Sequence, residues 1–169
     1  MADPCPLAPD DMDGDQDEDG CPDLTVDIDP CEIKLKGWIM FDSGKYSFKS
    51  KRFAEQNEEL LNDVVTALEM NPDITIEIRG HTDSKGSDRN NEKFSSNRVK
   101  SVRDYLVNVG GVDSNRITYK GYGESAPLKP DGGGAYCDPG DKTCKNESNA
   151  TKEGRTQNRR VEFKRTDNP

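Results

Sequence analysis

The chain has 169 residues, 24 Lys and Arg against 33 Asp and Glu, a net charge of −9 and 30% hydrophobic residues, enough for one packed domain with an appendage and too little for two large domains. The charge is uneven: residues 1–32 carry 12 acids and no base, which leaves 21 acids against 24 bases, a net +3, in residues 33–169. That balance predicts an acidic arm at 1–32 and a mildly basic domain at 33–169, and the mixing of signs within the domain argues against nucleic acid as a partner.

In chain order, residues 3–31 are rich in Asp and Pro and poor in aliphatics, a composition that cannot bury a core by itself. Within them Asp11, Asp13, Asp15, Asp17 and Asp19 recur at every second position with glycines at 14 and 20. Hard oxygen donors at that density suit calcium, although an EF-hand counted from Asp15 would place Val26 where a bidentate Glu is required. The competing reading is a solvated acidic linker.

"KGWIMF" (36–41) reads as the first strand and "DSGKYS" as the turn after it. From Ser50 to Met70, Phe53, Leu60, Leu61, Val64, Val65 and Leu68 recur at helical spacing, and "NPD" stops that helix. "DITIEIRG" (73–80) alternates as a half-buried strand. A second helix is expected from about Asp88 to "VGG", with Gly110 as its left-handed cap. Strands follow at 116–123 and 158–165, separated by a long surface loop, with an insertion at 129–155. The order β-α-β-α-β-β predicts an α/β sandwich, two main helices on one face of a small mixed sheet.

Of the five cysteines, Cys137 and Cys144 bracket a short loop and suit a disulfide, hence an oxidising compartment. Cys5 and Cys21 offer a second closure that leaves Cys31 over. Zinc is disfavoured, since no CxxC occurs and His81 is the only histidine. The sequons at Asn146 and Asn149 read as chance matches. No stretch approaches the roughly 20 apolar residues of a bilayer span, and no leader opens the chain, so an exported domain is expected to have sequence upstream of residue 1.

On a helical wheel of the second helix, Phe94, Val102, Tyr105, Leu106 and Val109 share one side, and Arg98 falls in the middle of it with Asn91 and Ser95. A guanidinium buried without a partner costs several kcal/mol, and Asp83, at the end of the preceding strand, is the nearest candidate by sequence. Either the two form a half-buried ion pair, or each keeps one side free in a cleft. In the second case the acid takes an ammonium and the arginine a carboxylate, a receptor for an amino-acid head group.

The runs "FDSGKYSF", "IEIRGHTDSKGSDRNNEKFSSNRVKSVRDYLVNVGGVDSNRITYKGYGESAP" and "GRTQNRRVEF" resemble the OmpA-like peptidoglycan-binding domain over about residues 33–165. The resemblance implies that Asp83 and Arg98 hold the free amino-acid end of meso-diaminopimelate in the peptide stem of peptidoglycan. By the same motifs Asn91 and Arg159 belong to the site, and Thr82 and Asp42 join it by position. "FSSNR" stands where the family usually has Leu-Ser before the arginine, and Val99 where it usually has Ala; both keep the packing class. The acidic arm, with its "CPD", looks like a thrombospondin type 3 repeat, which implies calcium. The implied role is a non-enzymatic anchor between an outer-membrane protein and the wall, on the periplasmic face of a Gram-negative envelope. The alternatives are a calcium-dependent adhesion or stator-type assembly protein with this domain as its foot, and a cell-wall hydrolase, which the lack of a GxSxG elbow disfavours.

Overall fold

A computed structural model of the protein describes residues 24–42, 44–49, 51–131 and 135–167. The five arm aspartates read as calcium ligands, the thrombospondin-like repeat and the Cys5 and Cys21 closure lie outside these residues. The described chain forms β1 (Val26–Ile28), β2 (Glu32–Leu35), α1 (Ala54–Met70), β3 (Ile76–His81), α2 (Asp88–Asn108), β4 (Ile117–Gly123), α3 (Lys142–Ser148), α4 (Lys152–Asn158) and β5 (Val161–Arg165). The sheet order is β1-β2-β5-β3-β4, parallel between β3 and β4 and antiparallel elsewhere. This is the mixed α/β architecture the alternation predicts.

The core follows from two periodicities. Ile76 and Ile78 on β3, Ile117 on β4 and Phe163 on β5 are buried together with Leu61, Val64 and Leu68 of α1 and Val99, Val102 and Leu106 of α2. The intervening Glu77 and Arg79 carry the opposite face, where the Tyr122 hydroxyl donates to Glu77 at 2.9 Å. α2 lies directly on the strands because glycine lets it: a Cβ on Gly121 would stand 2.3 Å from the Ser96 nitrogen and 2.5 Å from the Glu92 oxygen. That approach brings the polar stripe of α2, from Asn91 to Arg98, against the ends of β3 and β4.

Four expectations are corrected. Residues 36–41 are not a strand. Asn57 of α1 instead accepts from the Met40 N–H at 2.8 Å and donates to the Met40 and Phe48 carbonyls at 2.7 and 3.0 Å, so a side chain takes the place of a neighbouring strand. The sheet takes in Val26–Ile28 and Glu32, which the division at 32/33 assigned to the arm; β1 pairs with β2 in a hairpin whose turn is tied by Asp29 Oδ1 to the Cys31 and Glu32 N–H groups. The left-handed residue after α2 is Gly111, with φ 73°, rather than Gly110, and Val109, past the helix end, is 62% exposed. Finally, the long loop contains α3 and α4, capped by Asp141 on the Cys144 N–H and by Thr151 on the Gly154 N–H. The Cys137–Cys144 disulfide is formed and ties the segment before α3 to that helix, while Cys31 is free and exposed.

Candidate functional site

β3 ends at His81, and the chain turns into the loop that carries Thr82 and Asp83. The Thr82 N–H donates to the Gly123 carbonyl at 2.8 Å, extending the parallel pairing by one step. Asp83 is 7% exposed; its Oδ1 accepts from the Lys85 N–H at 3.0 Å and its Oδ2 from Arg159 Nη1 at 2.6 Å. Arg159, at the end of α4, is anchored by a second bond from Nη2 to Thr156 Oγ1 at 3.0 Å. The inserted helices thus support the loop twice, since Asn149 Oδ1 also accepts from the Ser84 N–H at 3.2 Å.

Arg98 is the unusual member. Its guanidinium lies between the Phe41 and Phe94 rings, 4.7 and 4.4 Å from their centroids, and its Nε donates to the Lys45 carbonyl at 3.2 Å. Among the described residues no carboxylate forms an ion pair with it: the partner of Asp83 is Arg159, which corrects the ion-pair alternative for Asp83 and Arg98. Burial and the nearby Arg159 charge, only partly countered by Asp83, bring the Arg98 pKa down to about 10. Arg98 remains charged at neutral pH but is poorly compensated. The Arg98 and Arg159 guanidiniums therefore share the cleft with one carboxylate, so the site attracts anionic groups and retains one acid for a cation.

Asp83, Arg98, Thr82, Asn91 and Arg159 line one cleft of about 490 Å³, together with Phe41, Gly44, Lys85 and Phe94. Thr82 Oγ1 is buried and, among the described residues, has no hydrogen-bond partner. Asn91 serves largely as scaffold: its Nδ2 donates to Glu124 Oε2 at 2.6 Å, and Glu124 Oε1 in turn accepts from Lys145 at 2.6 Å. Asp42 is not among the lining residues; its backbone carbonyl accepts from the Lys45 N–H at 3.0 Å and shapes the turn. The residues not foreseen are Phe41, Phe94, Lys85 and the Lys45 carbonyl. Phe94 was legible in part, as an aromatic one helical turn before a buried arginine, though it read only as core.

His81, the last residue of β3, is buried. Its ring stacks on Tyr122 at 5.5 Å, and its Nε2 is 3.3 Å from Glu162 Oε2 without a well-directed hydrogen bond. Arg160 and Tyr136 hold the two Glu162 oxygens at 2.7 and 2.6 Å. Burial lowers the His81 pKa from its ordinary 6.5, with Arg160 and Arg79 acting the same way and Glu162 opposing. A base depressed on folding binds its proton more readily in the unfolded chain, so stability falls as pH drops below about 6.5. Thermal unfolding at pH 7.5 and 5.5 is expected to show a lower midpoint at the acid pH, and His81→Gln is expected to reduce that difference; an equal drop in the variant would remove His81 as its source.

Comparison with known proteins bears on the family and the fold. A family model described as the OmpA family matches residues 40–135, a span that includes every lining residue named except Arg159. Outer membrane porin F of Pseudomonas aeruginosa is 33% identical over 175 residues, covering 94% of this chain and 43% of that protein. The peptidoglycan-binding protein ArfA of Mycobacterium bovis is 38% identical over 105 residues, 62% of this chain and 26% of that one. The chain thus spans less than half the length of these relatives. In fold it is similar to the peptidoglycan-associated lipoprotein of Burkholderia pseudomallei, with TM-score 0.54 and 22% identity over 78% of this chain and 92% of that one. The cell wall anchor of the T6SS from Pseudomonas aeruginosa gives TM-score 0.59 and 24% identity, over 84% and 86%.

Proposed function

Because the chain belongs to the OmpA family, we propose that this domain binds peptidoglycan without altering it, through the free amino-acid end of meso-diaminopimelate in the peptide stem. One observation carries the reading: Arg98 is buried between two phenyl rings, opens onto the same cleft as Asp83, and has no carboxylate partner among the described residues. A ligand carboxylate supplies what Arg98 lacks and relieves its repulsion from Arg159. The ligand ammonium goes to Asp83, whose two oxygens retain acceptor capacity beyond their bonds to Lys85 and Arg159, and the unpaired Thr82 hydroxyl is available to either group. Charge-assisted hydrogen bonds of this kind contribute about 1.5–3 kcal/mol each.

In this role the domain tethers an outer-membrane protein to the wall from the periplasmic side. The relatives' names and the Cys137–Cys144 disulfide, suited to an oxidising compartment, support that placement. The test compares two stem tripeptides that differ only at the third residue, meso-diaminopimelate or lysine. The lysine side chain ends in an ammonium with no carboxylate, so Asp83 keeps its partner and Arg98 loses it. The diaminopimelate peptide is expected to bind about a hundredfold more tightly in a calorimetric titration, and Asp83→Asn to weaken it by at least tenfold. Equal binding of the two peptides would remove diaminopimelate as the recognised group.

A further inference from the structure

A second groove of about 230 Å³ adjoins the cleft and shares Phe41, Arg98 and Arg159 with it; its far wall is Trp38, Ile39 and Met40, with Thr156 at the edge. Trp38 is 48% exposed, while Ile39 beside it is buried, so the indole stands on a fixed floor and presents apolar surface to the groove. The chemistry changes across the two arginines: opposite charges on the Asp83 side, apolar surface with guanidinium on the Trp38 side.

We propose that this groove holds the D-alanine that follows the diamino acid in the stem, with its methyl group against Trp38 and Met40 and its carboxylate toward Arg159. The inference rests on the wall-binding reading above. With one amino-acid end of diaminopimelate between Asp83 and Arg98, the other end lies three methylenes away, about 5 Å in extended form, and the residue joined to its carboxyl is the next group along the ligand. D-Alanine brings a small apolar side chain and, in a tetrapeptide, a terminal carboxylate, which match the two kinds of surface present. The preceding D-glutamate brings an acid with no methyl for the indole. The sugars are three residues away, about 10 Å along an extended chain, beyond a groove that begins at Arg98 itself.

Trp38 is the single tryptophan of the chain, so its emission has one source; because Trp38 also borders a groove along β2 and β5, the emission change is read together with the Trp38→Ala calorimetry below. Titrating the protein with the tripeptide ending in meso-diaminopimelate and with the tetrapeptide ending in D-alanine is expected to show an affinity about five- to tenfold higher for the tetrapeptide. A saturable change in tryptophan emission is expected with the tetrapeptide and a much smaller one with the tripeptide. In calorimetry on Trp38→Ala, the two peptides are expected to bind equally, at the wild-type tripeptide affinity. Equal affinities in the wild type with unchanged emission would overturn the D-alanine assignment and leave the Asp83 and Arg98 site standing. Failure of both peptides to bind would overturn both. A preference that appears only when the sugar is attached would assign the groove to saccharide instead.

Discussion

Arg98→Ala is expected to lower the affinity of the domain for a diaminopimelate stem peptide about a hundredfold while leaving its melting midpoint within a few degrees of wild type. Two charge-assisted hydrogen bonds to one carboxylate are lost, about 3 kcal/mol even at the lower end of their range. The folded chain loses less than a buried arginine ordinarily would imply. Among the described residues Arg98 has no ion pair to break, its charge is already disfavoured by burial and by Arg159, and removing it ends that cost even as packing between Phe41 and Phe94 is lost. Arg98→Lys is expected to fall between, roughly tenfold down, because an ammonium cannot present the planar fork that grips a carboxylate and stacks between two rings. Calorimetric titration alongside thermal unfolding separates the two effects. Loss of binding that merely tracks loss of folding would make Arg98 a scaffold residue.

Asn57→Ala is expected to destabilise the domain by about 3 kcal/mol, a drop of roughly 10 °C in the midpoint for a chain of this size, and to weaken stem-peptide binding several-fold in the fraction that remains folded. Asn57 is fully buried, and its amide meets the Met40 N–H and the Met40 and Phe48 carbonyls. Without it, backbone groups selected for one side-chain partner are left facing an apolar interior. The same segment carries Phe41 against one face of the Arg98 guanidinium and offers the Lys45 carbonyl to its Nε. Asn57→Leu, which keeps the volume, is expected to restore little, since the hydrogen bonds and not the space are at issue. A change of less than 2 °C in either variant would mean that the segment is held by its own packing, chiefly Ile39 and Phe48.

This segment also marks where the sequence stops being legible. Helix α1, strands β3 and β4 and helix α2 each repeat apolar residues at their own period, and the pattern finds them. Residues 36–41 carry the composition of a strand, but the partner for the Met40 backbone is one amide 17 residues away, which no local pattern reveals. The β1–β2 hairpin has alternating Val26, Ile28, Ile33 and Leu35 around an Asp-Pro turn, a strand pattern hidden by the acidic composition of the arm. Helices α3 and α4 have seven residues each and no apolar stripe; their caps and the disulfide fix them. At the site, Arg98 is conspicuous because it interrupts an apolar stripe, and Asp83 because it is an acid just past the end of β3. Their relation is different from the simplest inference: Arg159, 76 residues along the chain from Asp83, takes the ion pair, and that displacement leaves Arg98 free for a ligand.

The most direct measurement is a crystal structure of the domain with a stem peptide ending in meso-diaminopimelate. The ligand carboxylate is expected about 3 Å from the Arg98 guanidinium nitrogens and the ammonium about 3 Å from an Asp83 oxygen, with Phe41 and Phe94 still flanking the arginine. A peptide seated elsewhere, or an Asp83 that turns to pair with Arg98 and shuts the cleft, would contradict the account.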